Sequence, residues 1–177
     1  MTDGRWVAPF LLGVAIAVVV EAGIGLLLFV SPGLLPALTV ILAAALGSLG
    51  AGLATRPVRR DPGSFRWPWF LAVGALVIAG VLSLGWSFQA EPPATAAIRG
   101  VHLALLVALP LYGLGASLAT VINPYDGARS GAAAALGGMA GVVFLGVALV
   151  PRFEAVSVYL FCVLCVSAAA VARNTFT

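Results

Sequence analysis

The chain has 177 residues, of which 62% are hydrophobic and 8% charged, with a formal net charge of +3 and a mean hydropathy of +1.14. A soluble domain of this size carries about a quarter charged residues, so composition sets aside a water-soluble enzyme or binding module. All nine basic residues are arginine and none forms a basic cluster interleaved with aromatics, which argues against a nucleic-acid partner.

Taken in order, the apolar runs predict an all-α, polytopic membrane protein of six transmembrane helices forming a single domain, 1–177. The first helix is expected over 6–30. A hydrocarbon core of roughly 30 Å needs about 20 apolar residues as a helix, and this run exceeds that length. It is also longer than a signal-peptide core, is interrupted by Glu21 and is followed by Ser-Pro-Gly, so it reads as retained. Trp6 stands as an interfacial anchor, and Pro9 falls in the first turn, where a missing N–H costs little. The short uncharged turn 31–36 predicts a tight hairpin to a second helix over 37–55. There Ala43, Gly47 and Ala51, and likewise Ser48 and Gly52, recur at four-residue spacing. Such small-residue stripes let another helix backbone come close.

The charged loop 56–66 follows, then a third helix over 67–88 with Trp67 and Trp69 at one end and Trp86 at the other, as in aromatic belts. Pro92 and Pro93 are expected to keep the next stretch non-helical. The fourth helix, 96–122, carries Arg99 and His102 near its start and Pro110 near its middle. The fifth, 130–150, is the richest in glycine and alanine, with Gly137 and Gly141 as packing positions; the sixth spans 155–172. With the N-terminus inside, Arg5, Arg56, Arg59, Arg60, Arg66, Arg129 and Arg173 are cytoplasmic, and only Arg99 and Arg152 lie outside. This bias places both termini in the cytoplasm. Three spans and three spans would make the halves, if related, an inverted repeat of the kind that builds many transporters.

Chemistry concentrates on few residues. Glu21 lies nine residues from the end of its run, about 13 Å deep at about 1.5 Å per residue. An ionisable group at that depth usually faces a bundle interior or a wet cavity. Arg99 and His102 share a helix face by their spacing and form the expected partners of an intramembrane polar set with Glu21. Two readings stand: a proton- or cation-handling site, or a structural interhelix bond around a neutral or paired acid. Pro110 frees the carbonyl of Leu106, and with Tyr112 and Ser117 nearby a kinked helix could line a cavity or simply pack. Cys162 and Cys165 make a C-x-x-C in an apolar helix and read as core thiols; no zinc set of four ligands is available. One histidine, no phosphate-binding loop and no nucleophile triad leave no cofactor, no metal and no independent catalysis to expect.

Several segments resemble one family. The runs GVAIAVVVEAGIGLLLF and LTVILAAALGSLGAGLATR, the segment LLVALPLYGLGASLA and the run YDGARSGAAAALGGMAGVVFLGVALVPRF are similar to the membrane domain of bacterial membrane-bound spermidine-synthase-like proteins. The soluble aminopropyltransferase domain of that family, with its donor site, has no counterpart in this sequence. The resemblance therefore implies a shared membrane fold and a bacterial inner-membrane location, without the reaction. Of the pattern, Glu21, Asp126 and the glycines carry over, with no role attached. The expectation is a non-catalytic membrane subunit or scaffold, partnered by lipid and by other proteins or a second copy through the small-residue faces. The alternative is a small ion-coupled carrier with Glu21 on its path. Enzymatic activity would require a partner that supplies the catalytic domain.

Overall fold

A computed structural model describes residues 4–30, 34–55, 67–84, 93–122, 127–144 and 155–176. The expected arginine-rich loop 56–66, residues 85–92 and 145–154, which hold Trp86 and the expected ends of the third and fifth helices, and residues 123–126 lie outside the described residues. Among those described there are six α-helices and no strand: α1 Val7–Val30, α2 Leu34–Ala54, α3 Trp67–Leu84, α4 Pro93–Val121, α5 Gly127–Phe144 and α6 Ala155–Phe176. A 3-10 turn, Gly4–Trp6, leads into α1.

Prolines account for two shifted boundaries. Pro36 sits third in α2 and Pro93 first in α4, so these helices start before the expected positions 37 and 96. The first turn of a helix has no intrahelical use for its N–H groups, which is where a ring nitrogen without hydrogen is tolerated. Pro93 therefore opens a helix instead of holding the chain non-helical. α5 likewise begins before 130, at Gly127, and α6 continues past 172 to Phe176, with the Thr175 hydroxyl donating to the Val171 carbonyl at 2.9 Å.

Two segments, Gly4–Gly25 and Ser157–Thr175, are long and apolar enough to cross a membrane, and Ile41–Ala54, Trp67–Val81 and Leu106–Val121 are shorter apolar helices. Large apolar side chains are not confined to the core. Leu42, Leu46, Phe70, Ile78, Val81, Leu136, Met139, Val143, Leu160 and Leu164 point outward. Among the described side chains, Arg5, Arg129 and Arg173 belong to helix ends, and Glu21 is the one charged group away from them. Trp6 and Trp67 are exposed, as an interfacial position would have them, but Trp69 is turned into the core.

Four helices, α1, α4, α3 and α6, pack in a closed cycle around a core that includes Leu12, Val18, Leu76, Leu111, Leu114, Tyr159 and Val166. α2 lies mainly against α4, and α5 against α1. α2 also touches α1. Directions follow from paired contacts. A Cβ on Gly23 would meet Val107 of α4, the Cys162 thiol donates to the Ala15 carbonyl at 3.8 Å, and further along, Arg173 donates to the Thr120 hydroxyl at 3.3 Å. If α4 and α6 both run against α1, Arg173 and Thr120 differ in height by about 9 Å, within an arginine's reach. With both along α1 the gap widens beyond it.

Glycines set how closely the outer helices approach. Gly13 of α1 abuts the carbonyl of Ala134, while Gly137 of α5 abuts the carbonyl of Phe10, and a Cβ on Gly141 would come within 2.9 Å of the Val14 carbonyl oxygen. Phe10 to Val14 tracks Gly137 to Gly141 in the same sense, so α1 and α5 are parallel. Across the bundle, Gly52 of α2 abuts the carbonyl of Tyr112, and a Cβ on Gly115 of α4 would lie 2.6 Å from the Leu49 carbonyl oxygen. Side-chain rearrangement cannot relieve a clash with backbone, so overpacking here costs about 1–3 kcal/mol. Gly13→Ala and Gly137→Ala should each lower stability by that amount in detergent unfolding. Gly47→Ala should leave it unchanged, because nothing lies near its Cβ position.

Candidate functional site

Glu21 occupies the middle third of α1, on the stripe that holds Phe10, Val14 and Ala17. Residues at these intervals share one helix face, and this face receives α5. Gly23, which meets α4, is two residues on and points almost oppositely. The carboxyl oxygen Oε2 of Glu21 is buried and has no hydrogen-bond partner among the described residues. An unpaired buried acceptor costs about 1–3 kcal/mol, and more if charged, so this is a position where a ligand, a proton or a partner group has something to gain.

Arg99 and His102 belong to α4, and their side chains lie outside the described ones. Counting back from Val107, which is level with Gly23, His102 stands about 10 Å and Arg99 about 15 Å above Glu21 along the bundle axis. The helix faces thus direct Glu21 toward α5 and α4 toward the other side of α1.

The segment of α4 from Pro110 to Leu118 is surrounded. Pro110 and Leu111 are buried, Tyr112 is half-buried, and Gly113 to Leu118 are buried throughout. Its small residues meet neighbours: a Cβ on Gly113 would come 2.7 Å from Ala72 Cα of α3, and Gly115 faces α2 as described. Ser117 is fully buried with its hydroxyl unpartnered among the described residues. Its carbonyl accepts from the Thr120 hydroxyl at 2.7 Å, and Arg173 ties that hydroxyl to α6. Other hydroxyls turn back on their own helices in the same way, Ser48 onto the Ala44 carbonyl at 2.6 Å and Thr55 onto that of Gly52 at 2.6 Å. Such back-bonding hides a polar group inside an apolar setting.

The two small-residue stripes of α2 separate. Gly52 is buried on α4, and Ser48 is half-buried, whereas Ala43, Gly47 and Ala51 are exposed. Gly137 and Gly141 are buried on α1. Cys162 and Cys165 are free, buried thiols. No group of three or more His, Cys, Asp or Glu that could hold a metal ion occurs among the described residues.

Sequence reasoning passed over Tyr159, which is 1% exposed and whose hydroxyl has no partner among the described residues. It also passed over Gly13, whose signal was available in the spacing of glycine behind an aromatic, Phe10. Comparison with known protein families, curated proteins and solved structures finds no match to this chain.

If Ser117 bonds to nothing, Ser117→Ala removes a buried orphan and should hold or raise the unfolding midpoint. A loss of more than about 1 kcal/mol would mean that the hydroxyl has a bound partner.

Proposed function

We propose that the chain is a six-span integral membrane protein built as a 3+3 inverted repeat, and that it works as a small ion-coupled carrier. The observation that carries the reading is the correspondence of two helix seams. In the first, Phe10 and Gly13 of α1 meet Gly137 and Ala134 of α5; in the second, Tyr112 and Gly115 of α4 meet Gly52 and Leu49 of α2. Aromatic carbonyl against glycine, and glycine against a carbonyl three residues earlier, recur in both. Exchanging α1 with α4, α2 with α5 and α3 with α6 also carries the other main packings into one another. Because α1 runs against α4, the operation that relates the halves turns one upside down relative to the other. Inverted halves of this kind are the building principle of many secondary carriers, whose sites lie at the repeat interface near the bilayer midplane. Glu21 fits that place, since it sits on the seam between α1 of one half and α5 of the other.

The outward apolar side chains supply the surface a bilayer would cover, and the arginine bias supplies the orientation, with both termini and the 56–66 loop cytoplasmic. A non-catalytic subunit or scaffold is the second reading. It draws on the exposed Ala43, Gly47 and Ala51 of α2, a stripe free to receive another helix. The likeness to the membrane domain of spermidine-synthase-like proteins belongs with either reading, as a proposed kinship of membrane fold alone.

Purified chain in liposomes should carry out a flux driven by a proton or sodium gradient, and Glu21→Gln should abolish it while the protein remains folded. Purification in mild detergent with one stoichiometric partner, and no flux in the isolated chain, would favour the subunit instead. A thiol placed at 61 by Asp61→Cys should react with impermeant maleimide only after the cells are opened.

A further inference from the structure

We infer that Glu21 is the proton-exchanging group of this protein, a carboxyl that holds a hydrogen within the bilayer at the α1–α5 seam and can be modified there by an apolar carbodiimide. The inference rests on the membrane-embedded carrier reading and names the ion that it couples to.

Position is the first argument. Glu21 is about 13 Å from the end of α1, close to the middle of a core roughly 30 Å thick. Its Oε2 is buried without a partner among the described residues, yet the residue as a whole is only half-buried. A carboxylate left without counter-charge in such surroundings is very costly, and the usual outcome is neutralisation.

Among the described residues, the elements packed on α1 supply little to hold it ionised. α2 has no titratable residue between Leu34 and Ala54. On α5 the one charged residue is Arg129, and Gly137 already stands level with Phe10, so Arg129 lies at the opposite end. Arg5 and Arg173 share that end. On α6, the Cys162 thiol is committed to the Ala15 carbonyl about 9 Å below, Cys165 lies lower still, and Tyr159 packs against Gly80 of α3. α4 brings Tyr112, whose carbonyl faces Gly52 of α2, and higher up Arg99 and His102, on the side of α1 away from the Glu21 stripe.

The seam itself gives the group a setting. Below Glu21 the two helices are closed by backbone contact at Gly13, Gly137 and Gly141, with Ala17 packed on Gly141. Glu21 is the next residue on that face, one turn beyond Ala17 and past Phe144, the last described residue of α5, which stacks on Phe161 of α6 at 5.4 Å. The inner end of the seam is thus shut by backbone contact, and Glu21 stands beyond the last of those contacts.

The test is covalent. A neutral carboxylic acid adds across a C=N bond of a carbodiimide: its hydrogen passes to nitrogen and its oxygen bonds to the central carbon. The acyl group then shifts from oxygen to nitrogen, giving a stable N-acylurea. Nothing is oxidised or reduced and no group leaves, so the mass gain equals one whole reagent. Full-length chain in liposomes of neutral phospholipid, washed with carbonate to remove unembedded protein, would be treated with dicyclohexylcarbodiimide across a pH series and mapped by peptide mass spectrometry.

The adduct should form on Glu21, and Glu21→Gln should lose it while Glu21→Asp retains it. Its rate should fall about tenfold for each pH unit above the titration of the group. A charged, water-soluble carbodiimide should miss Glu21. Absence of the apolar adduct from embedded chain would overturn the proposal, as would efficient modification of Glu21 by the water-soluble reagent. An adduct on Glu21 without any gradient-driven flux would remove the carrier and leave the proton site. Flux that persists in Glu21→Gln, with no adduct in the parent chain, would remove the proton site and leave the carrier.

Discussion

Backbone-to-backbone contact at a handful of glycines is the constraint on which the arrangement depends. Between apolar helices in an apolar solvent, burial of hydrocarbon gives little preference for one neighbour over another. What distinguishes one approach from another is how many atoms come into van der Waals contact and how near the polar backbones lie. Gly13 against Ala134, Gly137 against Phe10, and Gly115 against Leu49 put α5 on α1 and α2 on α4 at separations that any side chain would prevent. The central cycle of α1, α3, α4 and α6 is filled by larger side chains, Leu12, Leu76, Leu111 and Tyr159 among them, so it follows ordinary packing rules. The flanking helices are a different case, because glycines set how closely they approach.

Polar groups are handled by the same economy of space. Ser48, Thr55, Thr120 and Thr175 return their hydroxyls to carbonyls of their own helices, which needs no partner and leaves the helix surface apolar. Ser117, Tyr159 and Glu21 depart from that habit, each with a buried polar atom unpaired among the described residues. The first two are neutral hydroxyls in the densest part of the bundle. Glu21 differs in being ionisable, which is why the proposed function rests on it.

Much of the architecture was legible in the sequence because membrane composition leaves so few options. Long apolar runs separated by proline, glycine and arginine predict helices, and all six are present. Their starts were less legible, since Pro36 and Pro93 look like breakers in a linear reading but occupy first turns, where only three-dimensional position makes them harmless. Trp69 was misread for a related reason. Its neighbours Trp67 and Trp6 face outward, yet two residues along a helix is more than half a turn, and Trp69 faces the core. The site was half visible. Glu21 announced itself by its depth, but the choice of its neighbours turned on which face of α1 meets which helix, and twenty-four apolar residues carry almost no amphipathic signal to tell the faces apart.

If the two halves are inverted in a bilayer, as proposed, their matched seams have a consequence for how the chain enters it. A bundle whose first half, turned over, packs much like its second is nearly indifferent to which way up it sits. Packing then cannot decide insertion, and the decision passes to the nine arginines, seven of them on one side in the proposed orientation. Selection acting on loop charge alone could therefore reverse the whole protein without disturbing a single helix contact. A chain of this design keeps its shape in its glycines and its direction in its loops, so the two can evolve separately.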